Sequence, residues 1–520
     1  MLIEYVGRLG VQPKRSGAPP SCVSAWAKAT ARHSAAHALD RGARQLDGTA
    51  LRRGRRRFAV RRVDAMARRC ARRGSKARTA SVCRPPIRGW RRFPRSVGRL
   101  GPLTVATERD LTMAHGLMRR YSLGAARRER VPGVWRDAVS YVVRVFIAVR
   151  VGLFLLAIPA AAVIPPNQPA DVPDWATPPV THGLGIMFTA WERWDALWYL
   201  RIAAHGYAVE DHSAAFFPGY PAAIRAVAFL TGGHILLAAY VVSNLAYLAA
   251  LAVIYRWTQD EFDVDLAKRT VVLLAIFPSA FFFFAPYSES LFLLAVAVAL
   301  YAARRSRWLV ASVAAGFGTA VRSMGVVLAL AVVFECLRQC VSARPAGRDA
   351  IRGIMRCLGV AAVSVSGVIA YLAWWWQRAG QPLLPFRSEG GWDRNAQWPW
   401  ITLWDGVRDG IQWVGIYPGG YHFLDLLVVA VAVASAVWVI RRTALTYGIY
   451  TGASLIAPLC MEFPGRPFMS MMRFVLVIAP IFWGIAEFSR RIRSWTPIVA
   501  VSATGLGMFS LLFINWYWIY

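Results

Sequence analysis

Apolar residues fall in long runs over most of this chain, interrupted by short basic clusters. Eleven stretches read as membrane-crossing candidates: 138–164, 233–255, 270–287, 288–303, 308–322, 324–338, 354–376, 423–440, 443–461, 471–488 and 497–515. A helix of roughly 20 apolar residues spans the ~30 Å of hydrocarbon in a bilayer. The basic clusters test the assignment. They are Arg119–Arg136, Arg256 with Lys268 and Arg269, Arg304–Arg307, Arg338–Arg356, Arg441-Arg442 and Arg490–Arg493. All fall on the cytoplasmic side if the chain starts there and every stretch crosses. That agreement requires Trp308–Arg338 to cross twice, as a hairpin broken near Gly325. It also requires Phe216–Gly232 to dip without crossing. The expectation is an all-α polytopic membrane protein with about 10–11 transmembrane helices and two long outer-face loops, 165–215 and 377–422.

Composition changes the picture at one end only. The 520 residues carry 61 Lys+Arg against 28 Asp+Glu, a net +33, and yet 56% are hydrophobic. Residues 1–112 hold 27 basic and 6 acidic side chains, so most of the excess sits there. Three readings of this front stay open. It is a gene start set too far upstream, with Met113 or Met118 opening a short cytoplasmic leader over 113–137. It is a disordered basic tail. Or it is a nucleic-acid arm, against which stands the lack of aromatics interleaved with the arginines. No nucleic-acid partner is expected. The multi-pass membrane body is 138–520. Seven cysteines form no metal-type pair and no disulfide framework is read from them.

Chemistry concentrates in a few blocks. Trp191-Glu192-Arg193-Trp194-Asp195 follows a Pro-rich loop on the expected outer face. At helical spacing Trp191, Trp194, Trp198 and Ile202 make one apolar stripe with Asp195 at its edge. An interfacial helix lying on the bilayer would hold this carboxylate at headgroup level, where partial dehydration makes a carboxylate a better base; a merely solvated aspartate is the equal alternative. Ala215-Phe216-Phe217-Pro218-Gly219-Tyr220-Pro221 breaks any straight span, and non-helical backbone at membrane depth has to line a cavity or be covered by protein. Glu289 sits between apolar runs in Tyr287-Ser288-Glu289-Ser290. It is either wet or placed to orient an arginine or bind hydroxyls. Arg322 and Arg473 lie at membrane-segment ends, suited to a phosphate or to an internal pair with Glu289 or Glu462. The Trp-rich loop (Trp392, Trp398, Trp400, Trp404, Trp413) reads as an interfacial aromatic belt or as a stacking platform for a sugar. HExxH, P-loop and GxSxG motifs do not occur, and no metal and no cofactor is called for.

Five blocks in order carry a resemblance. Trp194-Asp195, Ile202-Ala203-Ala204-His205-Gly206-Tyr207 and the Phe216-Phe217-Pro218-Gly219 block come first. Pro278-Ser279-Ala280 with Tyr287-Ser288-Glu289-Ser290, and then Val321-Arg322-Ser323 before Gly325, complete the series. Together they resemble the PIG-V mannosyltransferases, which add the second mannose in glycosylphosphatidylinositol assembly. The resemblance is firm over Trp191–Gly325 and loose elsewhere. It implies a GT-C-type glycosyltransferase using a polyprenyl-phosphate-linked mannose, with a glycolipid or glycan acceptor. Asp195 would be the acidic residue of the first outer loop and the catalytic one. Glu192, His205, Tyr220, Glu289, Arg322 and Arg473 would bind substrate. Met324 departs from the polar residue expected before Gly325, and the basic front has no counterpart. The Arg-rich, Lys-poor usage suggests a bacterial host, hence a plasma membrane with the site on its outer face. A transporter or flippase, and a scaffold with docking loops, are the rival readings.

Overall fold

The computed structural model describes residues 134–176, 183–414 and 420–519. The basic front and most of the expected 113–137 leader lie outside the described residues. Within them the chain is helical almost throughout. The first group is α1 (Val134–Val163), α2 (Ile186–Thr189), α3 (Asp195–His205), α4 (Gly219–Leu230), α5 (Ile235–Glu261) and α6 (Val264–Ala275). A central group follows: α7 (Glu289–Arg304), α8 (Trp308–Val321), α9 (Gly325–Ser342) and α10 (Gly347–Ala379). The last group is α11 (Leu384–Arg387), α12 (Pro399–Gln412), α13 (Gly420–Arg442), α14 (Leu445–Leu459), α15 (Met471–Leu476), α16 (Ala479–Arg491) and α17 (Trp495–Ile514).

Six of these, α1, α5, α9, α10, α13 and α17, are long and apolar enough to cross a membrane, which makes this a multi-pass membrane protein. Their faces turned away from the protein stay apolar and exposed, as at Leu155, Leu245, Ile369 and Val501. α4 and α8 are apolar but shorter, at 12 and 14 residues. At 1.5 Å per residue α4 extends only ~18 Å, which suits the expected dip over Phe216–Gly232.

The expectation of ten or eleven crossing helices is not met by this measure: the stretches 270–287, 288–303, 308–322, 443–461 and 471–488 hold no helix that long and apolar, and the first and last of them are broken. The 270–287 stretch is helical only to Ala275; residues 276–288 are irregular around a short 3-10 turn at Ala280–Phe283. Pro278 and Pro286 deny the helix its backbone donors. Buried rings hold the segment instead: Phe284 meets Trp191 edge-on at 5.0 Å and Phe281 packs on Phe513 at 4.9 Å. The 471–488 stretch is broken between α15 and α16, where Pro480 stands at the start of the second helix.

The break expected near Gly325 is real and tight. α8 ends at Val321, Arg322 is extended, and α9 starts at Gly325. A Cβ on Gly325 would collide with the backbone of Gly318, so only glycine lets the two helices fold back this closely. α8 also lies directly on α10. A Cβ on Gly316 or on Gly367 would strike a facing carbonyl oxygen, and Thr319 Oγ1 accepts a hydrogen bond from Val368 N at 3.1 Å. Close backbone contact through small residues is how helices pack where water supplies no driving force. The sole described sheet is a clasp of two residues per strand, β1 (Asn395–Ala396) antiparallel to β2 (Met461–Glu462). It joins the 377–422 loop to the segment leading into α15.

Candidate functional site

Four charged side chains from distant parts of the chain meet at one end of this bundle. Asp195 opens α3, Glu289 opens α7, Arg322 lies in the α8–α9 break, and Arg473 lies in α15. Arg473 bridges the two carboxylates. Its Nη1 donates to Asp195 Oδ2 at 2.5 Å and its Nε donates to Glu289 Oε1. Arg322 Nη1 donates to the same Glu289 oxygen at 2.6 Å and to Ser288 Oγ at 3.2 Å. Tyr199 OH lies 2.9 Å from Ser288 Oγ, closing the network onto α3. Glu289 is fully buried, and its Oε2 finds no hydrogen-bond partner among the described residues. The Arg473 guanidinium also lies over the rings of Tyr287, at 4.9 Å, and Phe282. The irregular 276–288 segment thus delivers the carboxylate and the aromatic floor together.

Above this network is a cavity of about 170 Å³. Asp195, Tyr199, Arg322, Ser323, Ser470 and Arg473 line it from the bundle, and Ala215, Phe216 and Phe217 close one side. The 377–422 loop adds Glu389, Trp392 and Arg394. Arg394 Nη2 donates to Ser470 Oγ at 3.0 Å. The guanidinium groups of Arg322 and Arg394 lie 6.0 and 5.8 Å from the centre of the Phe474 ring, and all three residues line the cavity. Burial pushes the Glu389 carboxyl above its ordinary range, with Arg394 opposing. Burial likewise lowers the Arg394 guanidinium, and Glu389 counters it.

The backbone is strained where the site residues are launched. Trp194, Asp393 and Ser470 all have positive φ (55°, 55° and 67°). The first two immediately precede Asp195 and Arg394, and the third caps the helix bearing Arg473. A non-glycine residue there costs on the order of 1 kcal/mol or more, and such strain collects at functional sites.

The expected interfacial helix is corrected by its surroundings. The helix begins at Asp195 rather than Trp191, and Ala196 through Ala203 are all buried. Trp191 is wholly enclosed, and Trp198 stacks on Phe216 with ring centroids 5.5 Å apart. The apolar stripe faces protein, not lipid; periodicity cannot tell one apolar neighbour from the other. Glu289 is the orienting carboxylate rather than a wet one, and Glu462 takes no part in the arginine network.

The structure gathers Asp195, Glu289, Arg322 and Arg473 and leaves out the other three candidates. Tyr220 is a second layer, edge-on to Tyr199 at 5.0 Å and bonded to Ser243 Oγ at 2.6 Å. His205 is exposed at the far end of α3, beside Trp175. Glu192 is buried outside the cavity, and desolvation pushes its carboxyl up to about 7. Glu389 and Arg394 were missed. Their only signal was a pair of charges flanking Gly390-Gly391-Trp392 in a loop otherwise read as aromatic belt. No group of three potential metal ligands occurs among the described residues.

Comparison with known proteins follows the same residues. The family model described as Mannosyltransferase (PIG-V) matches residues 139–379. Two GPI mannosyltransferase 2 sequences, from two strains of Cryptococcus neoformans var. neoformans serotype D, are 30% identical over 145 residues. That match covers 26% of this chain, and the chain spans about a third (34%) of the length of those relatives. Among solved structures, ArnT from Cupriavidus metallidurans bound to undecaprenyl phosphate overlaps at TM-score 0.42 with 14% identity, over 72% of this chain and 76% of that one. An Archaeoglobus fulgidus oligosaccharyltransferase, in complex with zinc and sulfate, overlaps at 0.36 with 12% identity, over 71% and 53%. Overlap at this level carries no argument about chemistry. The stretch that matches the mannosyltransferase (PIG-V) family model, residues 139–379, contains Asp195, Glu289 and Arg322.

Proposed function

We propose that the protein is a membrane-embedded mannosyltransferase. It moves mannose from a polyprenyl-phosphate mannose donor to a glycolipid or glycan acceptor, with inversion, on the outer or luminal face. The observation that carries this reading is the cavity in which one aspartate faces several arginines. An acceptor hydroxyl gives its proton to Asp195 as its oxygen bonds to the anomeric carbon. The bond from that carbon to the phosphate oxygen breaks, and the lipid phosphate leaves with the electron pair. Proton acceptance of this kind is worth ~10²–10⁴-fold.

The phosphate needs charge stabilisation more than a proton. Arg322 and Arg394, which line the same cavity, suit a phosphate group, whose oxygens accept paired N–H bonds. Glu289 acts as a positioning residue: it holds the Arg322 and Arg473 guanidinium groups at one fixed spacing. Donors fixed in advance of charge development are worth ~10²–10³-fold each. One carboxylate suffices here because the leaving group is already a phosphate ester, whereas hydrolysis of a glycoside uses two.

The test uses washed membranes, radiolabelled polyprenyl-phosphate mannose and total lipid extract. Asp195→Asn is expected to abolish transfer while the protein still inserts in the membrane. Near-normal mannose transfer by that variant would contradict the assignment.

A further inference from the structure

A second and larger cavity, about 890 Å³, lies beside the first. Met469 and Trp518 belong to the lining of both. The end of α12, the start of α13, the 463–469 segment and the C-terminal residues build its walls. Its chemistry is unlike that of the first cavity. Trp413, Phe463 and Tyr517 give it aromatic surface, and Gln412, Asn167 and Asp409 place amide and carboxylate groups among them.

Its two arginines are already matched. Arg408 pairs with Asp405 and Asp409, both at 3.0 Å, and Arg466 Nε donates to the buried Asp425 at 2.7 Å. A phosphate entering here would have to compete with those carboxylates. Flat rings with adaptable hydrogen-bonding groups around them suit a neutral polyol, whose C–H faces stack on aromatic surface and whose hydroxyls donate and accept. The volume exceeds the first cavity's roughly fivefold, enough for more than one sugar ring if the first holds one.

We propose that this second cavity binds the saccharide part of the acceptor, a neutral glycan of two or more rings, and presents its terminal hydroxyl past Trp518 to Asp195. The proposal rests on the glycosyltransferase reading for the direction of presentation, and on the cavity itself for saccharide binding. The division of labour is then spatial: charged donor phosphate in the small cavity, neutral acceptor sugar in the large one.

Direct binding tests it. Saturation-transfer difference NMR is run on the full-length protein in nanodiscs, with methyl α-mannobioside as the neutral probe and mannose 6-phosphate as the charged one. The wild type is expected to bind the mannobioside. Trp413→Ala should weaken binding at least about tenfold, and Trp413→Phe, which keeps a ring, should restore most of it. Failure of the wild type to bind, equal binding by Trp413→Ala, or a preference for mannose 6-phosphate would each overturn the proposal. The assay contains no donor lipid, so it reads saccharide binding whether or not mannose is ever transferred. Loss of the transfer reading and loss of this one are therefore separate results.

Discussion

Two buried glutamates sit at opposite ends of α7, and their surroundings separate a site from a scaffold. Glu289 begins the helix, and Glu335 of α9 pairs with Arg304 at the helix's last residue. Fifteen residues of helix put these ends ~22 Å apart. Both carboxylates are fully buried and both are gripped by two arginines. Glu335 is saturated. Its Oε1 accepts from Arg304 at 3.0 Å, Arg338 at 2.8 Å and Gln339 at 2.7 Å. Its Oε2 accepts from Arg338 at 2.9 Å and from Thr446. Glu289 has one oxygen shared by two guanidinium groups and the other without a partner, and its arginines border a cavity. A satisfied polar network rigidifies a fold; a half-satisfied one beside an opening marks a candidate site.

The contrast can be attacked from the most sensitive point downward. Asp195→Asn should cost ~10²–10⁴-fold in mannose transfer, measured per folded molecule, with no change in thermal stability beyond that of losing a bridge. Glu289→Gln should cost ~10²–10³-fold, since Arg322 and Arg473 lose their shared anchor and repel. Glu335→Gln should do the reverse. We expect a stability loss of about 2–3 kcal/mol, read in thermal unfolding, with specific activity intact. Equal activity losses at 289 and 335 would erase the distinction.

A third buried glutamate has no such clamp. Glu192 adjoins Arg193, whose guanidinium donates instead to the carbonyls of Ile514, Thr189 and Glu192 itself. Its carboxyl stands at about 7, above the ordinary 4.5, because burial disfavours the charged form. The folded state therefore holds this proton more tightly than the unfolded one. Stability is full below about 4.5 and is lost as pH climbs towards about 7. Glu192→Gln should be more stable than wild type at pH 8, on the order of 3 kcal/mol, and equal to it at pH 4, in unfolding measured across pH. The smallest effect expected is Arg394→Ala, about tenfold in donor KM, since Arg322 still lines the cavity without it.

Much of this architecture is legible from hydropathy and charge. The long spans and the α8–α9 break at Gly325 follow from runs and breakers, and the pairing of Arg322 and Arg473 with Glu289 is one of the partners that costly charges at membrane depth suggest; the grouping of Asp195 with them rests on the family resemblance. What escapes is whatever depends on which apolar neighbour an apolar face meets. The α3 stripe looks the same whether lipid or Phe216 covers it. The 270–287 run is apolar enough to be a helix, and only its two prolines hint that aromatic packing replaces backbone bonding. Glu389 and Arg394 lie almost 200 residues beyond Asp195, on a loop without periodicity, so nothing local links them to it. Tyr220 and His205 show the opposite error: a family block can be present in sequence while part of it supports the site from behind, or not at all.

The two-residue clasp between β1 and β2 ties together two segments that border the cavity. Arg394 directly precedes one strand, and the other leads through Ser470 to Arg473, so the two arginines share one backbone anchor. Two residues per strand thus fix the spacing of two cavity-lining guanidinium groups that stand 79 positions apart in the chain.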